Sequence, residues 1–109
     1  MGIDVAGIGI SNVYDLTKVR HYIFTFRDEF MWQDIGRFPH GAYITYIQWL
    51  CSPGGYADIQ YTHDGKDYHP FHLWGSLFVN PNPPILIPPG AELKAGGKNG
   101  KMCLQVIER

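Results

Sequence analysis

"AYITYIQWLCS" (42–52), the breaker "PGG" (53–55) and "YADIQYTH" (56–63) form the stretch that decides the fold. Its first part sets Tyr43, Thr45, Ile47 and Trp49 against Ile44, Tyr46, Gln48 and Leu50. That is a period of two with apolar groups on both sides, the mark of a strand in the middle of a sheet. Pro53-Gly54-Gly55 is expected to end it. A second strand then alternates Ile59 and Tyr61 with Asp58, Gln60 and Thr62.

Working outward, Asp64-Gly65 sits between two polar-aromatic arms. It is the pair a type I′ hairpin turn favours, because both central residues need positive φ. Upstream, "HYIFTFR" (21–27) alternates Tyr22, Phe24 and Phe26 with Ile23, Thr25 and Arg27. Downstream, "SLFVN" (76–80), "PILI" (84–87), "AELKA" (91–95) and "KMCLQVIER" (101–109) read as further strands, with "GGKNG" (96–100) as a turn. Thirteen Gly and eight Pro leave little room for helix. Only "SNVYDLTKVRHY" (11–22) could hold a turn or two, capped by Ser11 or Asn12. The expectation is an all-β chain: a single antiparallel β-sandwich, jelly-roll-like, of seven to eight short strands. Residues 1–109 make one domain, with 1–20 read as an N-terminal arm.

Five of the eight prolines fall in "PNPPILIPP" (81–89). A linker needs a domain on each side, and a polyproline ligand would not carry Ile85-Leu86-Ile87 at its centre. The segment reads as an edge strand whose prolines cannot pair and so discourage strand addition.

Composition narrows function. Hydrophobic residues make up 45% of the chain and charged residues 17%, with three Trp, seven Tyr and six Phe, which is the make-up of a folded core. Nine basic against ten acidic residues leave no positive field for a phosphate backbone, so nucleic acid is not expected as a partner. No apolar run is long enough for a helical membrane span, and the N-terminus lacks signal-peptide features. Cys51 and Cys103 are expected to be reduced core thiols, a disulfide between them being the alternative.

Chemistry is sparse. None of the three serines stands in a nucleophile elbow, and Asp28 and Glu29 would point to opposite faces of a strand, so no catalytic residues are assigned and no enzyme is expected. Residues 58–72 hold Asp58, His63, Asp64, Asp67, His69 and His72. His63, His69 and His72 are weak candidates for a metal site. Against them, cupins need a His-x-His pair and a following Glu, whereas here Pro70 splits His-x-x-His and no acid follows until Glu92. The bland reading is polar residues on wet hairpin arms, and no cofactor is assigned. Trp32, Tyr56, Tyr68 and Trp74 are candidate sugar platforms, although aromatics in a small sandwich more often belong to the core.

The run "IQYTHDGKDYHPFHLWGSLFVNPNPPILIPPGAELKAGG", with the closing "KMCLQVIE", resembles small β-sandwich structural proteins of tailed-bacteriophage virions: capsid decoration or cement, head-fibre and tail-tip modules. The likeness is one of pattern and covers roughly residues 42–109. It implies a non-enzymatic virion protein made in the host cytoplasm, a trimer or other symmetric homo-oligomer, with capsid or tail proteins as partners. The alternative is a glycan-binding, adhesin-like module. A symmetric interface is expected to draw on Phe30, Met31, Trp32, Phe38, Trp74, Pro88 and Pro89, and "RDEFMWQDIGRFPHGA" (27–42) is expected to be a loop or arm that meets a partner.

Overall fold

The structure, a computed structural model, describes residues 16–109. They are all-β apart from a 3-10 turn at Leu16–Lys18. Seven strands follow: β1 Val19–Phe26, β2 Met31–Arg37, β3 Ala42–His63, β4 Lys66–Leu73, β5 Leu77–Val79, β6 Ile85–Ile87 and β7 Glu92–Glu108. All pairings are antiparallel and belong to one sheet, not closed into a barrel.

Four expectations change. The helix expected within 11–22 is only the 3-10 turn, since β1 begins at Val19; residues 11–15, like most of the expected arm, lie outside the described residues. The expected arm at 27–42 contains a strand, β2, paired to β7. Neither "PGG" nor "GGKNG" breaks the chain: β3 runs for 22 residues and β7 for 17, so the strands are not all short.

β3 and β7 lie side by side along almost their whole length. Shorter strands complete the sheet on either side. Along β7, β2 pairs with residues 92–97 and β1 with 100–107; along β3, β6 takes 42–44, β5 takes 47–49 and β4 takes 57–63. One half is therefore β1-β7-β3 with β5 and β6, and the other β2-β7-β3-β4.

The two halves fold onto each other. A straight strand of β3's length would span about 70 Å, yet the longest dimension of the protein is 48 Å. The bend sits where residues 52–55 of β3 stand opposite Asn99 alone on β7, Cys51 pairing with Gly100 and Tyr56 with Lys98. Such bulges sharpen twist and bend. At the far end, Gly41 N–H and Gly90 N–H both donate to Phe38 O at 2.9 Å, tying the turn after β2 to the turn before β7. Pro88-Pro89-Gly90-Ala91 is that second turn; Gly90 has φ +77°, as the third position of a type II turn requires, and Ala91 N–H closes it onto Pro88 O. The sandwich is one sheet folded over its own concave face.

That face is the core. Ile44, Ile47 and Trp49 from one half and Ala57, Ile59, Leu73, Leu93 and Ala95 from the other are all at most 1% exposed, with Ile87, Met102, Leu104 and Val106 beside them. Glycines of β7 are slots filled by rings. A Cβ at Gly97 would lie 2.6 Å from the Phe26 ring and one at Gly100 2.5 Å from Trp49, whose rings touch in turn at 6.1 Å. Glycine in a strand interior is weak alone but allows such close approach. Phe38, expected at an interface, lies in this core at 5% exposure. The thiols of Cys51 and Cys103 are free and half-buried, Cys51 packing against the core. Among the described residues no helix is long and apolar enough to cross a membrane.

Candidate functional site

The chemically distinctive surface is the convex side of the β2-β7-β3-β4 half. Register sets Trp32, Gly96, Asp58 and His72 in one row across four strands, since Trp32 pairs with Gly96, Gly96 with Asp58 and Asp58 with His72. Position 97 points into the core under Phe26, so position 96 and its row point out.

His69 joins this row because of an irregularity in β4. Residues three apart on a regular strand face opposite ways. Here Ile59 pairs with Phe71 but Tyr61 with Tyr68, so His69 and Pro70 together stand opposite Gln60. The extra residue is accommodated at Pro70, which has no N–H to lose from the ladder. Both imidazoles thereby face Asp58. His69 Nδ1 lies 2.8 Å from Asp58 Oδ2, a charge-assisted hydrogen bond when that nitrogen carries a proton. His72 Nδ1 is 3.4 Å from Oδ1, within ion-pair reach but without hydrogen-bond geometry. The two rings stack at 5.8 Å between centroids, 9° from parallel.

Asp58 itself is 8% exposed although it stands on the outer face. His69 and His72 lie against its carboxylate, and an aromatic band adjoins His69. Gly96 leaves a gap into which Phe30 and Trp32 settle, and a Cβ there would lie 2.5 Å and 2.7 Å from their rings. Phe30 then packs edge-on to Trp32 and stacks on Tyr56, Tyr56 meets Trp74, and Trp32 meets His69. The band runs Trp74, Tyr56, Phe30, Trp32, His69, His72. Its ends are open, Trp74 being 75% exposed and the His72 side chain 54%.

The candidates named from sequence separate accordingly. His69 and His72 meet; His63 stands away from them on β3, 3.4 Å from Asp64 at the hairpin turn. The third group is Asp58, which the cupin comparison passed over because it precedes the histidines. Its signal was present all the same: an acid on the strand before the hairpin, at the register position of the second histidine. Of the expected interface residues, Phe30, Trp32 and Trp74 join the band, Met31 is 50% exposed in the row of Gly97 on the other side of the sheet, and Pro88 and Pro89 belong to the closing turn and not to the band. Of the sugar-platform residues, Tyr68 stacks on Tyr61 instead. One donor atom each from Asp58, His69 and His72 lies within 4.8 Å of the others, wider than the ligand set of a bound ion but on one open face.

A second feature is an open depression of about 570 Å³ over the bend, lined by Thr25, Leu50, Cys51, Ser76 and Lys101 among others. Ser76 Oγ lies 3.9 Å from Cys51 Sγ, and no imidazole or carboxylate belongs to its lining. No protein-family model matches the chain, and no curated protein or solved structure does so either.

Proposed function

We propose that the protein is a non-enzymatic structural component that works by self-association into a symmetric homo-oligomer, of the kind that tailed-phage virions use in decoration, fibre or tail modules. The observation that carries this reading is the convex face of the folded sheet, which keeps large apolar side chains in water. Ile23 is 69% exposed, Phe78 62% and Leu50 43%, and Gln48 links them, pairing with Phe78 and, through Cys103, with Ile23. Trp74, which ends the aromatic band and is 75% exposed, precedes Phe78 by four residues in the chain. Contiguous exposed apolar surface with aromatic anchors is what protein contacts are built from. A near-neutral charge, −1 overall, puts little electrostatic repulsion between copies. The virion setting rests on the sequence pattern alone.

Sedimentation of the purified chain at high micromolar concentration tests the reading. A closed oligomer of defined size is expected. A strict monomer that capsid and tail fractions also fail to retain sinks it.

Glycan binding is the second reading, favoured by one specific contact: Trp32 beside His69, an apolar plate next to hydrogen-bonding groups. It expects a sugar from an array to quench tryptophan fluorescence in the wild type and not in Trp32→Ala.

A further inference from the structure

The geometry points to a binding site for a first-row divalent transition metal formed by Asp58, His69 and His72. Two imidazole nitrogens and a carboxylate oxygen suit Zn²⁺, Fe²⁺ or Co²⁺ rather than Mg²⁺ or Ca²⁺, which prefer oxygen. Metal bonds of roughly 2.0–2.2 Å place neighbouring ligand atoms about 3.3 Å apart in a tetrahedral site. The separations here straddle that value, 2.8 Å from His69 Nδ1 to Oδ2 and 3.4 Å from His72 Nδ1 to Oδ1. The three donor atoms lie within 4.8 Å of one another, so completing the set requires the side chains to draw together around the ion.

The second observation is Asp58 Oδ1, a buried oxygen without a hydrogen-bond partner. Such an atom has lost its water, and the nearby His72 Nδ1, 3.4 Å away, does not replace it with a hydrogen bond. A cation held by His72 Nδ1 and this oxygen supplies the missing partner. The framework is set in advance: the strand register fixes Asp58 opposite His72, the Pro70 bulge turns His69 onto the same face, and Trp32 backs His69. The solvent side stays open, the His69 and His72 side chains being 38% and 54% exposed. Three protein ligands with an open side leave a coordination position for water or for an acceptor group of a bound molecule. This site does not depend on self-association.

Untagged protein, stripped with a chelator, is titrated with Co²⁺ and followed by visible absorption, then with Zn²⁺ by calorimetry. One equivalent of Co²⁺ per chain, with absorption bands of a low-coordinate site that Zn²⁺ displaces, is expected. His72→Gln and Asp58→Asn should each weaken binding at least tenfold, while His63→Gln leaves it unchanged. Added Zn²⁺ should raise the melting temperature of the wild type and not of His72→Gln, because a ligand that binds only the folded state stabilises it. His72 is exposed, so that variant decides the matter even where Asp58→Asn fails to fold. Absent Co²⁺ bands, unchanged affinity in His72→Gln, or an equal loss in His63→Gln overturns the assignment.

Discussion

Trp32 and Gly96 face each other across β2 and β7, and the indole occupies the space that a side chain at position 96 would need. A Cβ there would come within 2.7 Å of Trp32 and 2.5 Å of Phe30. Gly96→Ala must therefore lift both rings off the sheet. The expected cost is about 1–3 kcal/mol, the range for overpacking. A lower melting temperature and red-shifted tryptophan emission check it.

Two other glycines separate steric blockage from backbone strain. At Gly55, in the bend, a Cβ would lie 2.6 Å from Cys51 Cβ and 2.8 Å and 2.9 Å from the carbonyl oxygens of Asn99 and Lys98. Those backbone atoms cannot move without opening the bulge. At Gly65, in the hairpin, φ is +76° but the space is open. Gly65→Ala is expected to cost about 1–2 kcal/mol, the left-handed penalty alone, and Gly55→Ala more. Parallel urea unfolding of the two variants ranks them, and equal midpoints contradict the steric account.

Self-association should respond to charge on the convex face. Trp74→Asp and Phe78→Asp, at positions 75% and 62% exposed, are each expected to shift the oligomer to monomer with circular dichroism unchanged. Pro89→Ser, at the closing turn, should leave assembly intact. Light scattering on the three variants reads the difference.

Tyr22 gives a pH dependence. Burial is the main cause holding its phenol above the ordinary 10.0, Glu108 adds to this, and Arg20, paired with Glu108 at 3.2 Å, partly offsets it. The folded state therefore favours the protonated phenol. Its contribution to stability is whole below pH 10.0 and is lost as the pH rises through the folded value, because the unfolded chain ionises first. Tyr22→Phe should flatten the alkaline decline in melting temperature; an unchanged slope argues against it.

Much of the architecture was legible in short-range pattern. Alternation in 21–27 and 42–50 marked strands, Asp64-Gly65 marked the hairpin and takes φ +52° and +76°, and the prolines around Ile85–Ile87 marked a strand that pairs on one side only, with β3. The candidate site was half legible: the histidines were visible, but the carboxylate that His69 and His72 meet was not chosen, and His63 stands apart at the hairpin turn.

The sequence by itself determined an all-β chain, its hairpin and its guarded edge, because alternation and turn chemistry act between near neighbours. Only the tertiary structure decided that "PGG" and "GGKNG" lie within strands, because what offsets their local weakness arrives from far along the chain: Phe26, Phe30, Trp32 and Trp49 fill the glycine slots of β7. Tertiary structure alone also decided the site. Asp58 meets His69 and His72 through the pairing of β3 with β4 and the bulge at Pro70, and Trp32 reaches them across β7 only because position 96 has no side chain.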